Sequence, residues 1–207
     1  MLGFYNYTVI LTYIGMLSGF LGITLAMSGN VHGALICLMV AGFCDMFDGK
    51  IASTRERTSA EKRFGIQIDS LSDLICFGVL PAVIVCAYCE DSRMSVIIGG
   101  FYALCALIRL AWFNVDEEER QTEEDGAREA YLGMPVTTVA LLLPTLMSVD
   151  KLVGLPSGKI APAALVLFAV AFLSPFRLKK PGNIGKILML LMGCGALVLV
   201  LLAGAEL

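Results

Sequence analysis

The stretch CDMFDGKIASTRERTSAEKRFGIQIDSLSD, residues 44–73, places four aspartates in and beside segments that are otherwise apolar. A carboxylate inside a membrane is costly, since an aspartate at the centre of a spanning helix costs about 2.5–3.5 kcal/mol on insertion scales. Four carboxylates that converge would also repel one another. A positive partner, either protein cations or bound metal, is therefore required beside Asp45, Asp48, Asp69 and Asp73.

The composition of the chain is typical of an integral membrane protein. Of its 207 residues, 57% are hydrophobic and 16% are charged, whereas soluble domains are about 45–50% apolar. The mean hydropathy is +0.81. Apolar runs reach the roughly 20 residues that cross a hydrocarbon core about 30 Å thick. We expect the bilayer as a partner, and nothing in the sequence supports binding to nucleic acid.

Hydropathy predicts an all-α, polytopic bundle of transmembrane helices with about six to eight spans, and seven is the best count. No second domain is predicted, because only one segment, residues 116–129, is strongly polar, and it is interpreted as a solvated loop. The predicted spans are residues 8–28, 31–49, 66–89, 94–113, 133–149, 159–176 and 186–205.

Basic residues are unevenly distributed over the loops that connect these spans. With seven spans, the loops on one side, which include residues 50–65, carry ten lysines and arginines, and the loops on the other side carry three. Because cytoplasmic loops are enriched in basic residues, residues 50–65 are predicted to lie in the cytoplasm.

Two helix faces each combine acidic residues with small ones. Residues spaced i, i+3, i+4 and i+7 share one face of a helix. The end of the second span presents in this pattern Asp45, Asp48, Gly49 and Ala52. The start of the third span presents Gly65, Asp69, Ser72 and Asp73.

This combination favours a metal site that takes a phosphate-bearing ligand. Clustered carboxylates without histidine or thiolate partners suit hard ions such as Mg²⁺ or Mn²⁺. The only histidine, His32, lies at the far end of the second span. The small residues would let a bulky ligand approach the backbone beside the ion.

These residues resemble the signature of the CDP-alcohol phosphotransferase family, D-x2-D-G-x2-A-R-x8-G-x3-D-x3-D. The match reads Asp45-x2-Asp48-Gly49-x2-Ala52, then Gly65-x3-Asp69-x3-Asp73. There are two departures. Ser53 stands where the family has arginine, and eleven residues rather than eight, 54–64, separate it from Gly65. Arg55 and Arg57 are the candidates to supply the missing charge.

Within the family, the block FGIQIDSLSDLICFGVLPA, residues 64–82, is similar to bacterial and archaeal phosphatidylserine synthases, which carry FG-x-Q-x-DSL-x-D-x-x-x-FG-x-x-P. IRLAWFN, residues 108–114, and YLGMPVT, residues 131–137, are similar to further segments of those enzymes. We interpret residues 1–207 as one integral-membrane catalytic domain, with a core over about 1–150 and additional C-terminal spans over about 159–205.

The resemblance implies the fold of that family and a transfer of the phosphatidyl group from CDP-diacylglycerol to L-serine, with release of CMP. It implies Mg²⁺ or Mn²⁺, as two ions, bound by Asp45, Asp48, Asp69 and Asp73. Asp73 would also act as the general base on the incoming hydroxyl. The CDP-diacylglycerol site would include Gly49, Ala52 and Gly65, with weaker contributions from Arg55 and Ser53.

Three further expectations follow. Arg109 is a functional candidate because arginine is rare inside a membrane span, and we assign it to a substrate phosphate or the serine carboxylate, with Asn114 as a weaker companion. The resemblance implies a homodimer, which the small-residue spacing of Gly15 and Gly19 permits. We expect a multi-pass protein of the cytoplasmic membrane with its active site facing the cytoplasm.

Three alternatives stay open at this point. The acceptor could be glycerol 3-phosphate or inositol phosphate, which would need additional basic residues for a phosphate dianion. Intramembrane acids also mark ion pathways, so a cation transporter is the alternative from another class. Ser53 motivates a third alternative, a structural homologue without activity.

Overall fold

The computed structural model describes residues 3–89, 92–123, 130–153, 159–179 and 183–204. Short 3₁₀ turns at Tyr7–Val9 and Val136–Thr138 precede α1 and α6. The helices are α1 (Ile10–Met27), α2 (Val31–Ala52), α3 (Ser59–Asp73), α4 (Leu80–Tyr88), α5 (Arg93–Glu123), α6 (Val139–Val153), α7 (Ile160–Leu173) and α8 (Asn183–Ala203). A π-helical segment, Leu74–Val79, joins α3 to α4 without a break.

Each of the seven predicted spans corresponds to a helix, so the prediction of a polytopic all-α bundle is confirmed. Within the described residues, five helical stretches are long and apolar enough to cross a membrane, and two apolar helices are shorter. The long stretches are Tyr7–Met27, Val31–Ala52, Ser59–Tyr88, Arg93–Glu119 and Val136–Val153. The shorter helices are Ile160–Leu173 and Met189–Ala203.

The two helix boundaries that differ most from the prediction both lie in polar sequence. The third helix begins at Ser59 rather than at residue 66, because a capping box starts it within the loop. There Thr58 Oγ1 accepts from the Glu61 N–H at 3.2 Å, and Glu61 Oε2 accepts from the Thr58 N–H at 2.9 Å. Helix α5 continues past residue 113 to Glu123, since glutamate, arginine and glutamine form helices readily. The rest of the segment predicted as a loop, residues 124–129, lies outside the described residues.

The core lies where α2, α4, α5, α6 and α7 meet. Its largest fully buried side chains include Leu35, Phe77, Tyr102, Leu143 and Phe172. At the end of the bundle where α5 and α7 finish, two three-residue strands pair antiparallel, β1 (Ala130–Leu132) and β2 (Arg177–Lys179). This ribbon ties the loop between α5 and α6 to the loop between α7 and α8.

The π-helical segment receives a buried hydrogen bond from a neighbouring helix. The Tyr102 hydroxyl on α5 donates to the Phe77 carbonyl at 2.6 Å. Pro81, four residues after Phe77, has no N–H to donate to that carbonyl. In a regular α-helix the N–H four residues later would donate to this carbonyl. Here the Tyr102 hydroxyl supplies a donor instead. It fixes the segment that directly follows Asp73.

The small-residue face of α1 packs inside the protomer. A Cβ at Gly19 would lie 2.6 Å from Cys76 Sγ, and one at Gly22 would lie 2.9 Å from Leu80 Cδ2. A Cβ at Gly15 would lie 3.3 Å from the Cβ of Cys44. The glycines thus allow close packing of α1 against α2, the π-helical segment and α4. They do not support the homodimer, which stays a prediction.

We expect Gly19→Ala to lower the free energy of unfolding by about 1–3 kcal/mol, because an added methyl group has no room against Cys76. Equilibrium unfolding in mixed SDS micelles measures this change. Gly100→Ala on α5 is the matched control, since a Cβ there meets nothing within 4 Å. Equal stability of the two variants would contradict the tight packing of α1.

Candidate active site

A small, partly open cavity lies between α1, the end of α2, the end of α3 and the π-helical segment. Its apolar wall includes Leu11, Ala41 and Phe77. Its polar wall contains all four predicted aspartates together with Thr12 and Ser72. The two acidic faces predicted from helical spacing therefore meet in one cavity.

The aspartates are not equivalent in this cavity. Asp45, Asp48 and Asp69 each offer a carboxylate oxygen, and these three atoms lie within 4.8 Å of one another. Asp73 lines the same cavity and interacts electrostatically with the other three, but it lies outside that group. Two helices thus supply a compact set of three ligands, with a fourth carboxylate beside it.

Within the described residues, no lysine or arginine forms an ion pair with the four aspartates, and Arg55 in the neighbouring loop pairs with Glu61 instead. The positive partner that these carboxylates require is therefore not a cation from this part of the chain. Three carboxylate oxygens at this spacing form the all-oxygen set that Mg²⁺ and Mn²⁺ prefer. The residues present therefore fit a hard divalent ion, which would be bound by Asp45, Asp48 and Asp69.

Two of the predicted small residues border open space. A Cβ at Gly49 would meet nothing within 4 Å, and one at Gly65 would meet only the Arg57 guanidinium, at 3.2 Å. The packing of the protein itself therefore does not require glycine at either position, in contrast to Gly19 on α1. Gly49 directly follows Asp48, and Gly65 lies one turn before Asp69, so the open space lies on the two helices that carry the carboxylates.

The two candidate arginines both lie in the loop between α2 and α3, but they contact different residues. Arg55 Nη2 lies 3.5 Å from Oε1 of Glu61, which holds it at the start of α3. The Arg57 guanidinium lies over Gly65, one turn before Asp69. The Ser53 hydroxyl donates to the Lys50 carbonyl at 2.7 Å, so it serves the end of α2. Arg57, rather than Arg55 or Ser53, is brought to the acidic face of α3.

The two candidates on α5 occupy different surroundings. Arg109 is buried, with its guanidinium carbon 5.4 Å from the Trp112 ring centre and 5.9 Å from that of Phe113, and it does not line the acidic cavity. Asn114 Oδ1 accepts a hydrogen bond from the Ser70 hydroxyl at 2.6 Å. Asn114 is therefore tied to the residue that follows Asp69, whereas Arg109 is not brought to the carboxylates.

Sequence reasoning missed a residue of α1. The Thr12 hydroxyl donates to Oδ2 of Asp48 at 3.3 Å, and the Thr12 carbonyl accepts from the Ser72 hydroxyl at 3.4 Å. The available signal was its position, since Thr12 lies three residues before Gly15 on the small-residue face of α1. A polar side chain on a face that packs against α2 needs a partner there.

A family model described as CDP-alcohol phosphatidyltransferase matches residues 5–201. The chain belongs to this family, as the aspartate signature indicated. An archaetidylserine synthase of Methanothermobacter thermautotrophicus is 30% identical over 173 residues, which are 83% of this chain and 68% of that protein.

Two relatives are named CDP-diacylglycerol–serine O-phosphatidyltransferase. The one from Saccharomyces cerevisiae is 35% identical and covers 67% of this chain and 54% of its own length. The one from Bacillus subtilis is 25% identical and covers 81% of this chain and 90% of its own length. The chain therefore spans about half of the yeast relative and most of the Bacillus relative.

Proposed function

We propose that this protein transfers the phosphatidyl group of CDP-diacylglycerol to L-serine, forming phosphatidylserine and CMP. The observation that carries the proposal is the three-carboxylate cluster bordered by two open glycines, within a chain whose relatives are named for serine transfer. The family membership supports a transferase, and the cluster supports the chemistry of a diphosphate donor.

In the proposed reaction, the serine hydroxyl oxygen attacks the phosphorus that carries the diacylglycerol, and the bond from that phosphorus to the CMP oxygen breaks. Asp73 accepts the hydroxyl proton, because it lines the cavity but lies outside the compact group of ligands. Mg²⁺ or Mn²⁺ at Asp45, Asp48 and Asp69, as one or two ions, would polarise the diphosphate and stabilise CMP as it leaves.

The donor site is proposed beside the glycines. Gly49 and Gly65 leave room for the diphosphate and the nucleotide on the two helices that carry the carboxylates, and Ala52, on the same face of α2 as Asp48, is assigned to this site as well. Arg57, whose guanidinium lies over Gly65, neutralises a phosphate of the donor. Arg55 is assigned to its ion pair with Glu61, so we no longer assign it to the donor.

The acceptor site is proposed where the end of α3 contacts α5. The Asn114 side chain accepts a hydrogen bond from Ser70, the residue that directly follows Asp69. Asn114 is therefore assigned to the serine headgroup. Arg109 is kept as the candidate for the serine carboxylate or a lipid phosphate, since it is a buried arginine in a predicted span.

We propose that the site faces the cytoplasm from the cytoplasmic membrane. The cavity includes Asp45 and Asp48, which lie in the last two turns of α2, next to the predicted loop of residues 50–65, which holds five of the ten basic residues on that side. CDP-diacylglycerol would enter sideways from the inner leaflet, and serine would arrive from water. A homodimer is proposed from the resemblance alone.

A second donor is favoured by one comparison. The archaeal relative is named for archaetidylserine, so the same chemistry with a CDP-activated archaeal ether lipid is an alternative donor. The acceptor would still be serine, and the cluster would have the same role. Glycerol 3-phosphate and inositol phosphate remain the alternative acceptors, and cation transport remains the alternative from another class.

CMP release by the purified protein in mixed micelles tests the proposal. Each acceptor is supplied separately with CDP-diacylglycerol or its ether analogue, with and without Mg²⁺ or Mn²⁺. Release that requires serine and metal supports the proposal, and the preferred lipid decides between the donors. Release with another acceptor would overturn the serine assignment but keep the chemistry. The absence of CMP release with every acceptor would favour a cation transporter or an inactive homologue.

We expect Arg57→Gln to lower kcat/KM for CDP-diacylglycerol by roughly 10- to 100-fold, since a hydrogen bond to a charged group contributes about 1.5–3 kcal/mol. Arg55→Gln is the matched control in the same loop, and we expect it to change kcat/KM less than threefold because Arg55 pairs with Glu61. Steady-state kinetics with varied lipid measures both. A larger loss in the Arg55 variant would reverse the assignment.

A further inference from the structure

Helix α1 contributes no carboxylate to the cavity, yet it contacts the acidic cluster through one polar side chain. The Thr12 hydroxyl donates across the helix interface to Oδ2 of Asp48 at 3.3 Å. The Thr12 side chain is buried, with 7% of its surface exposed, and it lines the same cavity. The bond joins residues 36 positions apart in the chain.

The acceptor of this bond distinguishes Thr12 from two other helical threonines of the described chain, Thr24 and Thr145. A helical threonine or serine in apolar surroundings commonly donates to a carbonyl three or four residues earlier. Thr24 donates in this way to Leu21 at 2.7 Å, and Thr145 donates to Leu141 at 2.7 Å. Thr12 donates to a carboxylate of the candidate metal site instead.

The backbone of Thr12 is tied to the second acidic face. Its carbonyl accepts from the Ser72 hydroxyl at 3.4 Å, and Ser72 directly precedes Asp73. One turn further, Cys76 Sγ donates to the Gly15 carbonyl at 3.3 Å. Helix α1 is therefore bonded to the helix that carries Asp69 and Asp73, while its threonine side chain reaches the helix that carries Asp48.

We propose that Thr12 is a positioning residue for the divalent ion. This inference rests on the proposed function in one respect, because it requires that the cluster binds such an ion. The Thr12 hydroxyl occupies one oxygen of the Asp48 carboxylate. That bond restricts the rotation of the carboxylate, which would orient it toward the ion. Groups that bond to metal ligands in this way typically contribute 10- to 100-fold in metal affinity.

The experiment measures Mn²⁺ binding to the purified full-length protein by electron paramagnetic resonance, without lipid or serine. We expect Thr12→Val, which keeps the shape but removes the donor, to raise the Mn²⁺ Kd by roughly 10- to 100-fold. We expect Thr12→Ser, which keeps the donor, to stay within threefold of the original protein. The KM for Mn²⁺ should rise in the valine variant, while kcat at saturating Mn²⁺ falls less.

Thr24→Val is the matched control, since Thr24 lies on the same helix and bonds within it. We expect it to leave Mn²⁺ binding unchanged. If Thr12→Val does not give a monodisperse protein, Thr12→Ala removes the same donor with less volume, and its Kd replaces that of the valine variant. Unchanged Mn²⁺ binding in a folded variant without the hydroxyl, or weakened binding in Thr12→Ser equal to that in Thr12→Val, would overturn the proposal.

The binding measurement separates this inference from the proposed function. Weakened Mn²⁺ binding in Thr12→Val, together with CMP release from an acceptor other than serine, would support the role of Thr12 and overturn serine as the substrate. An original protein that binds no Mn²⁺ at the aspartates would overturn both the metal site and the role of Thr12.

Discussion

Asp69→Asn is expected to abolish Mn²⁺ binding and to lower CMP release by about 10³-fold or more. Asp69 supplies one of three ligand oxygens that lie within 4.8 Å of one another. A bound ion contributes several kcal/mol to the transition state in such reactions, and each 1.36 kcal/mol is tenfold in rate. Metal titration and the CMP assay on the purified variant measure the two losses.

The same substitution is expected to have the opposite effect on stability without metal. In EDTA, the asparagine relieves the repulsion that Asp69 shares with Asp45 and Asp48, so the variant should melt at the same temperature as the original protein or higher. Added Mn²⁺ should raise the melting temperature of the original protein only, because the ion binds its folded state.

Asp150→Asn on α6 is the matched control for both measurements. Asp150 is a buried aspartate, with 2% of its surface exposed, and it lies near the end of α6, outside the acidic cavity. Its asparagine variant should keep Mn²⁺ binding and the stabilisation by Mn²⁺. Loss of Mn²⁺ binding in this control, or its retention in Asp69→Asn, would contradict the assignment of the cluster.

Asp73→Asn is expected to lower kcat by about 10²- to 10⁴-fold while Mn²⁺ binding stays within a few-fold. The magnitude is that of general acid–base catalysis. The separation of the two effects follows from the structure, since Asp73 lines the cavity but lies outside the compact group of three carboxylates. Asparagine has the same shape as aspartate and cannot accept the serine proton.

Single-turnover release of CMP and Mn²⁺ titration on the same preparation test this prediction. Loss of Mn²⁺ binding to the extent seen in Asp69→Asn would identify Asp73 as a metal ligand, as the resemblance also implies. Activity close to that of the original protein would remove Asp73 from the role of general base. The original protein provides the reference values for CMP release and for Mn²⁺ binding.

The features that the sequence predicted well are those governed by a single helix. Membrane spans require long apolar runs, so each of the seven spans predicted from hydropathy coincides with a helical stretch. The spacing of Asp45 with Asp48, and of Asp69 with Asp73, follows the helical period and placed each pair on one face. The joining of the two faces in one cavity followed from the resemblance and from the direction of the two spans.

The features that the sequence did not predict depend on contacts between helices or on loop geometry. The bond between Thr12 and Asp48 joins two helices, and no period within one helix encodes it. The difference between Arg55 and Arg57 depends on the path of the loop, where Glu61 takes one of them. The early start of α3 depends on a capping box, which hydropathy does not register.

The position of the carboxylates in two consecutive helices has a consequence for how the protein is made. All four aspartates and the α1 residues that contact them lie within the first 73 residues, and the loop between the two helices is short, at residues 53–58. A nascent chain that has been synthesised as far as α4 therefore already contains every ligand of the cluster. The acidic segments can enter the bilayer as a paired hairpin beside α1, before α5 to α8 leave the ribosome.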